Sequence, residues 1–149
     1  MKATLKAMSD FAKAGKKSLY IRNKALDLTQ SLPAKAGMSE IAALFDYVQN
    51  RVRYVRDING VETLQTPEQT LEQGSGDCDD KAVLLASLLE SIGHPTRFVA
   101  LGFDGPYDYS HVIVDTRIGG NKWLPLDATE DKPMGWRPPG ITAILPWYN

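Results

Sequence analysis

Three residues of the chain are of the types that carry out nucleophilic chemistry in enzymes: Cys78, His111 and Asp127. Cys78 is the only cysteine among 149 residues, and it stands at the start of a strongly apolar segment with helical character. A helix N-terminus and a neighbouring imidazolium both stabilise a thiolate, which is the reactive form of a cysteine. A carboxylate commonly holds such an imidazole in one tautomer and orientation. The residue types therefore indicate a thiol nucleophile with a base and an orienting acid.

The spacing of the histidine and the aspartate predicts that they meet. His111 opens one predicted strand and Asp127 ends the next, with a turn predicted at Gly119-Gly120-Asn121. Both residues are equally far from residue 119, and residues that are equidistant from the centre of a hairpin turn face each other across it. We therefore predict direct cross-strand neighbours with Cβ atoms about 5 Å apart. Pro125 and the turn register are the features that would shift this pairing.

Acidic residues surround the cysteine at positions 77, 79 and 80. Their negative charge raises the pKa of a nearby thiol, so the imidazolium must do most of the work of stabilising the thiolate. Acidic residues also cap the first turn of a helix. We predict capping as the main role of Asp77, Asp79 and Asp80, and leave calcium binding, which suits carboxylate oxygens, as a less favoured alternative.

Hydrophobic periodicity predicts the helices that position these residues. Residues 1–35 carry eight Lys/Arg against two Asp and predict two helices, which we interpret as packing helices or a loosely attached basic arm rather than a binding tail. Ser39 is predicted to cap a third helix. A capping box at Thr66 begins a short fourth helix that ends at Gly74. The helix that begins at Cys78 is apolar over most of its circumference, which predicts a central position.

The chemistry of the sequence then changes to that of strands. Arg53-Tyr54-Val55 is strand-like before a turn predicted at residues 57–60, and three longer strands begin at Thr96, His111 and Lys122. Helices followed by antiparallel strands predict an α+β fold.

The length predicts a single domain over residues 1–149. Within it we expect a basic helical segment at 1–35, a catalytic core at 36–130 and a Pro- and Trp-rich tail at 131–149. The tail is predicted to be an ordered surface wrap rather than an element of secondary structure.

Composition excludes several classes of protein. The 17 Lys+Arg nearly balance the 18 Asp+Glu, so the strongly basic field of a nucleic-acid binder is absent. No apolar run is long enough for a secretory signal or a membrane span. A single cysteine excludes an intrachain disulfide. We therefore expect a cytoplasmic protein without a nucleic-acid or membrane partner and without a cofactor.

Three motifs of the chain resemble, in the same order, those of the transglutaminase-like superfamily. They are GDCDDKA at residues 76–82, SHV at 110–112 and WLPLDAT at 123–129. The resemblance implies a papain-like core in which a central helix carrying the cysteine, preceded by N-terminal helices, packs on an antiparallel sheet. The small members found in bacterial phage and prophage genes are the most similar.

The same resemblance implies roles for the three candidate residues. Cys78 would be the nucleophile, His111 the general base and acid, and Asp127 the orienting group. The implied reaction is acyl transfer from a protein or peptide amide through a thioester. If water accepts the acyl group the enzyme is a peptidase or amidase, which we favour; if an amine accepts it, the enzyme is a transglutaminase. A non-catalytic peptide-binding or virion-assembly module on the same fold is the remaining alternative.

Further features of the site stay open at the level of sequence. The second donor of an oxyanion hole has four candidates: Tyr54, Gln65, Gln69 and Gln73. Five aromatic residues suit either a substrate groove or the core: Tyr107, Tyr109, Trp123, Trp136 and Trp147. The loop at residues 104–108 precedes His111 and is placed to gate a cleft. His94 is interpreted as a favourable cation at a helix C-terminus rather than a catalytic group.

Overall fold

The computed structural model describes residues 1–34, 36–56 and 63–149. The turn predicted at 57–60 lies outside these residues. The elements in chain order are α1 (Lys2–Gly15), α2 (Leu19–Thr29), α3 (Gly37–Arg51), β1 (Arg53–Tyr54), α4 (Pro67–Gln73), β2 (Ser75–Gly76), α5 (Cys78–Ser91), β3 (Thr96–Gly102), β4 (Tyr109–Gly119), β5 (Lys122–Leu126) and β6 (Ala143–Tyr148). None of the helices in the described ranges is both long and apolar enough to cross a bilayer.

Four strands form an antiparallel sheet with the order β5-β4-β3-β6. The fourth strand, β6, comes from the Pro- and Trp-rich tail, so the prediction that the tail contains no regular element is wrong. Leu145 and Trp147 pack against the main core while their strand pairs with β3, and this burial favours a strand over a surface wrap. The alternation of side chains in Ala143–Tyr148 follows the two-residue period of a strand despite Pro146.

The helix α5 lies at the centre of the molecule. Residues from Asp80 to Leu89 are all buried, with α1, α2, α3 and α4 packed around the helix and β3 and β4 against it. The inner face of the sheet meets α5 through residues such as Phe98 and Val112. The outer face buries Val99, Leu101 and Ile113 under residues of the tail and the loop after β3. The α+β prediction is confirmed.

Hydrogen bonds at the ends of α4 and α3 test the boundaries predicted for these helices. Thr66 Oγ1 accepts the N–H of Gln69, whose side chain accepts the N–H of Thr66, so the predicted capping box is present. Gly74 then ends α4 with a φ of 70°, in the left-handed region where glycine is favoured. At α3 the predicted cap at Ser39 is wrong. The N–H of Glu40 already bonds to the carbonyl of Ala36, so the helix begins before the serine.

The segment before Cys78 is held by strand pairing. Ser75–Gly76 forms the parallel strand β2 against β1. The N–H of Arg53 bonds to the carbonyl of Gly74, and that of Val55 to the carbonyl of Gly76. These bonds tie the chain after α3 to the residues just before α5.

The N-terminal helices are parts of the core rather than a loose arm. Leu5 and Met8 of α1 and Ile21 of α2 are each 0% exposed within the main hydrophobic cluster. The prediction of packing helices is therefore confirmed. The division of the chain at residues 35 and 130 stays a prediction.

We expect Leu5→Ala to lower the free energy of unfolding by about 2–5 kcal/mol, because truncating a fully buried leucine leaves a cavity. The matched control is Leu19→Ala on α2, where the side chain is 73% exposed and the change stays within about 0.5 kcal/mol. Urea unfolding followed by circular dichroism measures both. Equal, small effects in the two variants would show that α1 is not part of the core.

Candidate active site

Cys78 is the first residue of α5, where a second capping box holds the helix start. Asp77 Oδ1 accepts the N–H of Asp80, and Asp80 Oδ2 accepts the N–H of Asp77. Gly76 permits this close approach, because a Cβ at that position would lie 2.6 Å from the Cβ of Asp80. The capping role predicted for these two acids is confirmed. The thiol is thereby held beside the first turn of the central helix.

The surroundings of the thiol oppose its ionisation in this arrangement. Burial is the largest cause, and the charges of Asp79 and Asp77 add to it, raising the pKa of Cys78 to about 12. The thiol donates to Asp79 Oδ1 at 3.6 Å, which favours the protonated form. The backbone N–H of Val112 bonds to the sulfur and acts in the other direction. For Cys78 to act as a nucleophile, the thiol would have to break its hydrogen bond to Asp79 and pass its proton to a base.

His111 and Asp127 form the pair that the sequence predicts. His111 Nε2 donates to Asp127 Oδ2 at 2.8 Å, and the two side chains are 18% and 2% exposed. We place the proton on Nε2 because an ionised carboxylate can only accept a hydrogen bond. Nδ1 is then the ring nitrogen that can take up a proton. Asp127 Oδ1 also accepts the N–H and the hydroxyl of Thr129, at 3.1 and 2.6 Å. Asp127 thus caps the turn after β5 and orients the imidazole at the same time.

The predicted register of the hairpin is wrong, although the pair forms. Asp115 faces Pro125 and Val114 faces Leu126, so the turn is centred one residue later than predicted. Gly119 pairs with Lys122, so the turn lies at residues 120–121 and its centre falls later than residue 119. Asp127 lies just past the end of β5 and reaches His111 diagonally, at the separation where long cross-strand side chains still make contact.

The two partners stabilise each other's charged forms. Burial alone would lower the pKa of His111, but the hydrogen bond and charge of Asp127 outweigh it and the pKa is raised. Burial alone would raise the pKa of Asp127, but bonds from His111 and Thr129 outweigh it and the pKa is lowered. The histidine's contribution to stability is complete below its unfolded pKa and is lost as pH rises through its folded value. The aspartate's is complete above its unfolded pKa and is lost as pH falls, so the pair stabilises the fold most between about pH 4 and 6.5.

Cys78 and His111 line one cleft, a cavity of about 670 Å³. One wall is the chain that leads into β4, from Tyr107 to Ser110, so the predicted position of the loop beside the cleft is confirmed. Tyr107 stands at the rim with 85% of its surface exposed. The first turn of α1, including Lys2 and Thr4, also lines the cleft.

Of the five aromatic residues left open by the sequence, two line the cleft, Tyr107 and Tyr109. Trp147 packs against the main hydrophobic cluster. Trp123 makes an edge contact with Tyr148 at 5.6 Å and lies under the guanidinium of Arg97.

The four candidates for an oxyanion-hole donor differ in their surroundings. The amide of Gln65 is bonded to Asp80, and Gln69 belongs to the capping box of α4. Gln73 is exposed at the end of α4. Tyr54 pairs with Gly76 across the β1–β2 ladder. Burial raises its pKa, the charge of Cys78 raises it further, and that of Arg56 lowers it.

The burial of two charged residues near the site was not predicted from the sequence. Asp80, 2% exposed, accepts bonds from the backbone and side chain of Gln65, and burial raises its pKa to about 6. Lys81, also 2% exposed, donates to the carbonyl of Gln49 at 3.4 Å, and burial lowers its pKa. The negative charge of Asp127 acts on Lys81 in the opposite direction. The signal that could have revealed them is the occurrence of charges at core positions of an apolar helix.

The donor set around Cys78 does not assemble a metal site within the described ranges. No three His, Cys, Asp or Glu side chains there are arranged to hold an ion. The carboxylates of Asp77 and Asp80 are instead directed at N–H groups of the helix start. His94, at the other end of α5, pairs with Glu40 at 2.7 Å.

Comparison with known proteins gives one family and several structural neighbours. The family model described as the transglutaminase-like superfamily matches residues 22–128. A comparison with curated proteins found no match.

Similar solved structures share the fold at low sequence identity. A candidate cysteine protease from Cytophaga hutchinsonii is 23% identical over 74% of this chain, with a TM-score of 0.60. A candidate protease from Parabacteroides distasonis is 18% identical over 85% of the chain, with a TM-score of 0.66. The chain covers only 37% and 26% of those two proteins. LapG of Legionella pneumophila is 18% identical, with 95% of this chain and 87% of LapG covered and a TM-score of 0.63.

We expect Asp127→Asn to lower the pKa of His111, because the imidazolium loses its charged hydrogen-bond acceptor. The chain has two histidines, so NMR titration of the imidazole protons resolves both. His94, bonded to Glu40, is the internal control and keeps its wild-type titration. An unchanged His111 titration would contradict the coupling described above.

Asp79→Asn should lower the pKa of the Cys78 thiol, because it removes the nearest negative charge and a carboxylate acceptor. The rate of iodoacetamide alkylation at pH 8 then rises about tenfold for each unit by which the thiol pKa falls. Asp10→Asn, an exposed acid paired with Lys6 on α1, serves as the control and leaves the rate unchanged. A rate in Asp79→Asn no higher than in the wild type would show that Asp79 does not hold the thiol protonated.

Proposed function

The chain belongs to the transglutaminase-like superfamily, and we propose that it is a cysteine-dependent hydrolase of protein or peptide amide bonds, with Cys78, His111 and Asp127 as its catalytic residues. One observation carries this proposal: the bond between His111 Nε2 and Asp127 leaves the second imidazole nitrogen available in the cleft that contains Cys78. The descriptions of two structural neighbours, one as a candidate cysteine protease and one as a candidate protease, agree with it.

The first step forms the thioester. The thiol proton passes from Sγ to Nδ1 of His111, which Asp127 stabilises as an imidazolium. The thiolate attacks the carbonyl carbon of the substrate amide, and the carbonyl oxygen takes up negative charge. The backbone N–H of Cys78 is one donor for this oxyanion, and Tyr54, whose strand pairs with the residues just before Cys78, is our candidate for the second. Collapse of the intermediate breaks the C–N bond, and the imidazolium gives its proton to the leaving amine.

The second step releases the acyl group. His111 takes a proton from a water molecule, whose oxygen attacks the thioester carbonyl. The C–S bond breaks, the carboxylic acid leaves and the imidazolium returns the proton to the sulfur. Hydrolysis is favoured over amine transfer because the rim of the cleft is exposed and its lining includes the charged side chains of Lys2, Asp79 and Asp108, so water reaches the thioester.

Mass spectrometry of peptide digests in H₂¹⁸O tests the proposal. The wild type should cleave unstructured polypeptides and place one ¹⁸O in each new carboxylate. Cys78→Ala should lower kcat by at least about 10³-fold, because the nucleophile is lost. His94→Ala removes the other histidine and should leave the activity unchanged.

The other outcomes of the same experiment are also informative. Products that carry an added amine, when cadaverine is present, would identify a transglutaminase instead of a hydrolase. Absence of any product from the wild type, or equal cleavage by Cys78→Ala, would overturn the proposal and leave a binding module on the same fold.

A further inference from the structure

The helix α1 stands outside the residues that the family model matches and yet forms part of the cleft. The match begins at residue 22, whereas α1 covers Lys2–Gly15. Lys2 and Thr4 line the cavity that contains Cys78 and His111. A segment outside the residues matched by the family model therefore supplies part of the lining of the cleft.

A second, smaller cavity lies on the other side of Thr4. Its volume is about 260 Å³, and α1 contributes Ala3, Thr4 and Ala7 to its lining. Leu64 faces these residues, and the acids on either side of Cys78 complete the cavity. Thr4 and Asp79 line both cavities, so the smaller cavity adjoins the catalytic cleft at the nucleophile.

We propose that this second cavity is a specificity subsite for an apolar side chain of the substrate, next to the bond that is cleaved. The proposal rests on the proposed function of the site. The methyl groups of Ala3 and Ala7 and the side chain of Leu64 offer apolar surface on two sides. The carboxylates of Asp77 and Asp79 at the cysteine end disfavour an acidic side chain by like-charge repulsion.

The small size of two α1 residues creates the space. Ala3 and Ala7 are one helical turn apart, so their methyl groups lie on the same face of the helix. Both residues are exposed, and any longer side chain at either position would extend into the cavity. The subsite therefore depends on alanine at these positions.

The opposite face of the same helix fixes the wall in place. Leu5 and Met8 are fully buried, Ala12 is 1% exposed, and α1 packs against α5, which carries the cysteine. A wall anchored in the core holds its geometry better than a surface loop does. The packing of α1 against α5 thus positions both the proposed subsite and Cys78.

The test compares three peptides that differ at one position beside the cleavage site, with Gly, Leu or Glu. The position is found first, by mass-spectrometric profiling of wild-type cleavage in a peptide library. The wild type should show a kcat/KM for the Leu peptide at least about 10-fold above that for Gly, with Glu the poorest.

Filling the subsite should abolish this preference. Ala7→Phe should lower kcat/KM for the Leu peptide at least about 10-fold and leave the Gly peptide within about twofold. Ala14→Phe, at an exposed position of α1 that lines neither cavity, is the matched control and should leave both values unchanged. Unchanged thermal unfolding of both variants confirms that the fold is intact.

Three outcomes would overturn the subsite: no wild-type preference for Leu, an equal loss on both peptides in Ala7→Phe, or an unaltered preference in that variant. Cys78-dependent cleavage with any of these results refutes the subsite alone. If the wild type cleaves nothing, the proposed function fails. Binding of two peptide libraries, one rich in Leu and one with Gly in its place, to Cys78→Ala, measured by fluorescence anisotropy, then decides the subsite. Equal affinity overturns it, and tighter Leu binding that is lost in Ala7→Phe/Cys78→Ala supports it.

Discussion

The site depends on the hydrogen bonds that close the start of α5. The buried carboxylate of Asp80 accepts from the backbone of Asp77 and from both the backbone and the side chain of Gln65. These bonds join the segment before α4, the strand β2 and the first turn of α5. A buried carboxylate is tolerated because N–H groups satisfy it, and losing them would leave the charge unpaired. The position of the thiol follows, since Cys78 lies between two residues of this network.

The acidic residues around Cys78 have two opposed effects. Acids at positions 77, 79 and 80 stabilise the start of the helix, but the first two also raise the pKa of the thiol. The raised pKa of His111 means that Asp127 stabilises the positive charge that the imidazole acquires when it takes up a proton. In the proposed mechanism the thiol is unreactive while it donates to Asp79 and becomes nucleophilic when its proton passes to that imidazole.

Local patterns made much of this structure predictable. The capping box at Thr66, the glycine after α4 and the apolar circumference of α5 each depend on a few neighbouring residues, so the sequence reveals them directly. The meeting of His111 with Asp127 was also predictable, but the diagonal geometry was not, because a turn centred one residue later moves every pairing in the hairpin. The strand in the tail was missed since its partner, β3, lies more than 40 residues away in sequence. The wall that α1 contributes to the cleft depends on packing between distant segments, and no local motif encodes it. Phage origin and a cytoplasmic location stay predictions.

The central claim is that Cys78 carries the acyl group of the substrate as a thioester. Acid quenching during turnover of a peptide substrate, followed by intact-mass and peptide-mapping mass spectrometry, measures this directly. The account predicts an added mass equal to the acyl part of the substrate, located on the peptide that contains Cys78 and removed by hydroxylamine. Substrate hydrolysis that proceeds with no adduct on that peptide, and that continues in Cys78→Ala, would contradict it.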